Sequence, residues 1–158
     1  MVQTRSKAKA SLSHEERTAT EPRDEGLYPV TIETVTPVND RIKTFKFALQ
    51  EQDTINFQPG QWLDVHVPGI EQAGGFTLTS TPSQAQPRPD PEHKPFLELA
   101  VKKSPDNPPA AWLWQSPEEI IGKEVRVRVG GSFVWPPPNI DYATIKRAVF
   151  IAGGVGIK

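Results

Sequence analysis

Three short stretches hold residues whose types and spacing could do chemistry. At the end of the chain an apolar run, Ala148-Val149-Phe150-Ile151-Ala152, is followed by Gly153, Gly154, Val155 and Gly156. Glycines directly after a buried strand let backbone N–H groups approach a pyrophosphate, because no Cβ stands in the way. A plain glycine turn has the same pattern. In Gly74-Gly75-Phe76-Thr77-Leu78-Thr79-Ser80 an aromatic residue adjoins a hydroxyl. A ring at Phe76 can cover one face of a planar cofactor such as a flavin, and the Thr77 hydroxyl or a backbone amide beside it, at Leu78, can hydrogen-bond the cofactor's polar edge. Phe76 fits a core position as well. In the third stretch, LELAVKK, the strand pattern ends in Lys102 and Lys103. Either lysine can neutralise a phosphate, and either fits an ordinary solvated edge.

Composition removes other chemistries. The chain has no cysteine, which excludes disulfides, cysteine-ligated zinc and iron–sulfur clusters. Its three histidines, His14, His66 and His93, are scattered, so no metal site is expected. No side chain stands out as a general acid or base, and none is assigned as catalytic; hydride transfer needs none. The net charge of −1 gives no reason to expect a nucleic acid partner. No apolar run approaches the ~20 residues that span a bilayer, and residues 1–30 hold no signal-peptide apolar region.

The elements that must position these residues read mainly as strands. Apolar and polar residues alternate at Phe45–Leu49, Leu63–Val67, Leu97–Val101 and Val125–Val129, and Val30–Val35 is rich in β-branched residues. Period two with one apolar face marks antiparallel strands packed on a core. Pro59-Gly60, Pro68-Gly69 and Gly130-Gly131 supply turns between them. The prolines at 82, 87, 89, 91 and 95 make 80–96 an exposed loop. Short helices are expected over Asn107–Trp114 and after Ser116, where Pro117 fits the first helical position, Glu119 completes a capping box and Gly122 ends the element.

Residues 1–26 are polar and aperiodic and read as a disordered tail. Arg5, Lys7 and Lys9 without an acid up to Ser13 resemble a short mitochondrial transit peptide in composition, so the expected location is mitochondrial or cytoplasmic. The strand spacing suggests a six-stranded antiparallel barrel or sandwich over 27–138, followed by a linker over 139–147. The run at 148–152 lacks alternation, as a strand buried on both faces does, and opens a second, α/β unit at 148–158.

The order of five landmarks, PGQWLDVHV, GGFTLTSTP, LELAVKK, GKEVRVRVGGSF and AVFIAGGVGI, resembles the ferredoxin–NADP reductase superfamily over roughly Tyr28–Ile157. Within it, Gly-Gly-Phe-Thr and the Pro-Ala-Ala-Trp segment at 109–112 look most like the oxidoreductase NAD-binding domain-containing group. The resemblance implies a mainly β fold: a six-stranded antiparallel flavin-reductase-like barrel, followed by the first strand and glycine loop of a Rossmann-like α/β domain. It also implies a flavin-dependent NAD(P)H oxidoreductase. FAD, or FMN, would be held by Phe76, Thr77, Leu78 and Lys102, and NAD(P)H by Gly153, Gly154, Val155 and Gly156 in a complete homologue. The partners would be these small-molecule cofactors and an electron acceptor the sequence does not name.

Two departures from the family pattern bear on the phosphates. Where the family has Arg-x-Tyr-Ser this chain has Gly74-Gly75-Phe76-Thr77, so the arginine is missing. Where the family has Gly-x-x-Ser/Thr this chain has Asn107-Pro108-Pro109-Ala110. Each lost charge-assisted contact weakens binding by roughly one to two decades. Ending at Lys158, the sequence holds only the opening of the nucleotide domain, and NADH oxidation by it is expected to be slow or absent. The rival expectation is a truncated or degenerate barrel without catalysis, serving as a binding module.

Overall fold

The computed structural model describes residues 12–50, 53–90 and 92–151. Six strands are present: β1 Tyr28–Pro37, β2 Ile42–Leu49, β3 Trp62–His66, β4 Gly74–Thr77, β5 Phe96–Lys102 and β6 Glu124–Gly130. They form one sheet in the order β4-β3-β6-β1-β2-β5, with every neighbouring pair antiparallel. The two outer strands also meet. Leu78, just past β4, bridges Leu99 of β5, and the Thr79 N–H donates to the Glu98 carbonyl at 2.8 Å. The sheet therefore curls until its edges touch.

The alternation seen in the sequence decides which side chains point inward. Val125, Val127 and Val129 of β6 face the same interior as Leu63 and Val65 of β3, Phe45 and Phe47 of β2, and Leu97 and Leu99 of β5, all essentially without solvent exposure. Burying a side chain of this size stabilises the fold by about 1.5–3 kcal/mol. Two short helices cap this core. In α2, Pro108–Leu113, the Asn107 side chain accepts from the Ala110 N–H, and Pro109, Ala110 and Leu113 are buried. In α3, Pro117–Ile120, the Glu119 carboxylate accepts from the Ser116 N–H at 3.3 Å, and Ile120 is buried. Gly122 follows at φ +83°, a conformation that favours glycine, and its N–H returns to the Ile32 carbonyl.

The structure corrects three expectations. Residues 12–26 are not a disordered tail. Helix α1, His14–Arg17, opens with a Ser13/Glu16 capping box. Arg23 then bridges Gly130, Asp24 donates to the Val129 carbonyl at 2.9 Å, and Gly131 donates to the Pro22 carbonyl at 2.9 Å. The segment thus lies against the outward side of β3, β4 and β6. The loop at 80–96 is less exposed than its prolines suggest: Pro82–Ala85 is a 3₁₀ turn whose Ala85 is fully buried. Finally, residues 148–151 form no strand, and Val149, Phe150 and Ile151 are 73–95% exposed. A strand needs a neighbour for its ladder, and among the described residues none lies beside this run.

Candidate functional site

The closure of the sheet creates a concavity. Where β4 runs past β5, a hollow of about 170 Å³ opens, lined by Gly75, Phe76 and Thr77 on one side, Ala100 and Lys102 on the other, and Asn107 and Ala110 from the start of α2. Three of the residues singled out by sequence, Phe76, Thr77 and Lys102, therefore share one wall system although 25 positions separate the threonine from the lysine.

Their settings differ. The Phe76 side chain belongs to the core and is 8% exposed, so only part of it reaches the hollow. A Cβ on Gly74 would stand 2.5 Å from the Phe76 ring and 2.7 Å from the Pro109 side chain. No larger side chain fits at Gly74 in this packing; the glycine is what lets Phe76 fold inward. Thr77 is exposed, and its hydroxyl makes no hydrogen bond among the described residues. Lys102 is exposed at the end of β5. Lys103 belongs elsewhere: its Nζ lies over the Trp114 ring at 5.5 Å, with Lys43 Nζ over the same ring at 4.6 Å. Leu78 is half-buried and serves the closing bridge to Leu99 rather than lining the hollow. Gly153, Gly154, Val155 and Gly156 lie outside the described residues.

The outward face of the same strands holds a polar centre that the sequence did not reveal. Asp64, in the middle of β3, is fully buried. Arg23 Nε donates to its Oδ2 at 2.7 Å, Arg128 from β6 donates to the same oxygen at 3.1 Å, and Trp62 Nε1 donates to Oδ1 at 3.2 Å. His14 Nε2 lies 2.8 Å from Oδ1. An ionised carboxylate can only accept, so that ring nitrogen carries the proton. Burial alone would raise the Asp64 carboxyl; the hydrogen bonds from His14, Arg23 and Arg128, with the Arg23 charge, outweigh it and hold the group well below the usual carboxylate range. Asp64 and Arg128 are cross-strand register partners, which is the one trace of this centre that alternation could have shown. His14 and Arg23 come from the segment read as a tail, where nothing in the pattern pointed to them.

Next to this centre a second, larger cavity of about 310 Å³ separates α1 from the loop before α2, lined by Ser13, His14, Glu16 and Arg17 on one side and Ala73 and Asp106–Pro109 on the other. Asn107 lines both cavities, so the two adjoin at the start of α2.

No family model matches the chain. It is 34% identical over 151 residues to oxidoreductase NAD-binding domain-containing protein 1 of Pongo abelii, covering 96% of this chain and 45% of that protein. The Xenopus tropicalis protein of the same name is 35% identical over 153 residues, covering 97% and 45%. These proteins are homologues of this chain. The chain spans slightly under half the length of these curated relatives. The reductase component of propane 2-monooxygenase from Rhodococcus jostii is 30% identical over 124 residues, covering 78% of this chain and 29% of that one. Among solved structures, the Amycolatopsis cytochrome P450 reductase GcoB superposes with a TM-score of 0.56 at 22% identity, over 77% of this chain and 33% of that one. The mainly β, ferredoxin-reductase-like fold expected from the five landmarks is therefore present, as is the kinship with the oxidoreductase NAD-binding domain-containing group. Among the described residues, no helix is long and apolar enough to cross a membrane, and no group of potential metal ligands occurs.

Proposed function

We propose that this chain is the flavin-holding barrel of an NAD(P)H-dependent flavin oxidoreductase. The observation that carries the reading is the hollow at the β4–β5 closure, where an aromatic edge, an unpartnered hydroxyl and a lysine meet. This donor set suits a flavin: Phe76 offers an apolar edge, Thr77 a hydrogen-bond donor and acceptor for the polar ring edge, and Lys102 a positive charge. FAD is the proposed cofactor, with FMN the alternative that needs fewer phosphate contacts. When bound, a flavin takes a hydride from a nicotinamide and passes electrons on singly or in pairs. The chain's own residues bind and orient it; none is required to move a proton. The nicotinamide nucleotide would be held by the glycines at 153, 154 and 156 together with the rest of a nucleotide domain.

One observation favours a second reading, a barrel that binds a partner without catalysis. Phe76 is nearly buried and Gly74 has no room for a side chain, so the strand offers less to a cofactor than its sequence position suggests. Titration of riboflavin, FMN and FAD with the purified chain, followed by quenching of flavin fluorescence and by absorbance that stays with the protein, separates the two. Saturable quenching is expected. A colourless protein that quenches none of the three would leave only the second reading.

A further inference from the structure

The flavin reading leaves Lys102 as the one cation lining the hollow among the described residues, because Gly74, where the family pattern has an arginine, is sterically closed by Phe76 and Pro109. We propose that Arg17, carried on the N-terminal segment, supplies the phosphate-binding charge, in the cavity between α1 and the loop before α2. This inference rests on the flavin reading and extends it to a segment outside the barrel.

Three observations carry it. The hollow lined by Phe76, Thr77 and Lys102 and the α1 cavity share Asn107 as a wall residue, so they are neighbours at the start of α2. Arg17 lines that second cavity, and its guanidinium pairs with no carboxylate among the described residues; its one contact is a 3.4 Å hydrogen bond from Nε to the Ser13 carbonyl. A guanidinium presents paired N–H donors that match phosphate oxygens. The segment is also held in place independently of any ligand. His14 packs over Gly75, where a side chain would otherwise project, and Asp64 fixes both His14 and Arg23. Arg17 is thus three residues from His14, which is anchored to the buried Asp64.

The cavity also contains two acids, Glu16 and Asp106. Glu16 is engaged by the cap of α1: its carboxylate accepts from the Ser13 N–H at 2.7 Å. Asp106 is exposed and makes no ion pair among the described residues, so it opposes an incoming phosphate through solvent. The site therefore makes two charge predictions of opposite sign. Loss of Arg17 weakens phosphate binding, and neutralising Asp106 strengthens it.

The test compares FAD, riboflavin and inorganic pyrophosphate on the full chain and on Arg17→Gln and Asp106→Asn, flavins by fluorescence quenching and pyrophosphate by calorimetry. Expected is FAD binding tighter than riboflavin, a loss of about tenfold in FAD affinity in Arg17→Gln, a gain in Asp106→Asn, and riboflavin affinity unchanged in both. FAD binding that ignores Arg17→Gln overturns the inference and leaves the flavin reading standing. Equal losses for FAD and riboflavin also overturn it, since Arg17 would then act only through structure. Pyrophosphate held in an Arg17-dependent way without any flavin binding supports the anion site and overturns the flavin reading. Binding of none of the three overturns both.

Discussion

The imidazole of His14 occupies the volume into which a side chain at Gly75 would project. The two residues lie 61 positions apart in the chain, yet each explains the other: the glycine gives the ring a flat backbone to rest on, and the ring gives the glycine its packing. The ring cannot easily move aside, because Asp64 holds its Nε2 and the Trp62 indole meets it edge-on at 5.6 Å between centroids. A Gly75→Ala change should therefore destabilise the protein by about 1–3 kcal/mol, the usual cost of overpacking. The penalty should shrink in a His14→Ala background. Urea unfolding of the four proteins of this double-mutant cycle gives the coupling, and strictly additive losses would show that the two positions do not share this space.

Asp64 is the centre on which the N-terminal segment depends. Substituting asparagine leaves Arg23 and Arg128, 15% and 30% exposed, facing a neutral group. Breaking a buried ion pair from one side costs about 3–5 kcal/mol, and amide exchange over 12–24 should rise by more than exchange in β2 or β5. The pH dependence follows from the sign of the shift. The folded-state carboxyl is held below its ordinary range, so the stabilisation it gives is complete above the unfolded pKa of about 4 and is lost as pH falls through and below that value. The stability gap between wild type and Asp64→Asn should narrow as pH falls below about 4. A gap that widened in acid would contradict the assignment.

These two relationships also show where sequence reading succeeds and where it stops. Strands β2, β3, β5 and β6 were legible because Val125, Val127 and Val129, like Leu97, Leu99 and Val101, announce one apolar face by alternation, and burial follows directly from that pattern. The cap of α3 was legible for a similar reason, since Ser116 and Glu119 act on each other three residues apart. Asp64 was not legible. A polar residue on the outward face of an alternating strand reads as solvated, and only the folded N-terminal segment makes it buried. That segment in turn looks disordered because it is fixed by an ion and hydrogen-bond network rather than by apolar periodicity. Phe76 and Thr77 were found as a pair, but their opposite fates, one in the core and one exposed, depend on which face of β4 turns inward.

That difference separates two tests of the cofactor hollow. Phe76→Ala should cost about 3–5 kcal/mol of stability, as removal of a buried aromatic does, so any loss of flavin binding in it is ambiguous. Thr77→Val is nearly isosteric at an exposed position and should leave stability within about 0.5 kcal/mol. It removes one hydrogen-bonding group from the hollow and should lower flavin affinity by roughly two- to tenfold, the worth of a single neutral hydrogen bond. Unchanged affinity for all three flavins in Thr77→Val would remove the hydroxyl from the site.

The apolar run at 148–151 gives the last prediction. Its residues were expected to form a strand buried on both faces, and their hydrophobicity is a demand for cover rather than evidence of it. Here Phe150 makes one ring contact, edge-on to Trp135 at 5.0 Å between centroids, and remains 73% exposed. Without a ladder the backbone amides have water as their partner, so in this chain they should exchange at close to free rates while those of β6 are protected. Phe150→Ser should change unfolding free energy by no more than about 0.5 kcal/mol, as surface substitutions usually do. It should also reduce binding of a hydrophobic dye, because it breaks a run of exposed apolar side chains. Protected amides at 149–151, or a loss of several kcal/mol in Phe150→Ser, would show that the run is already packed as a strand within this chain.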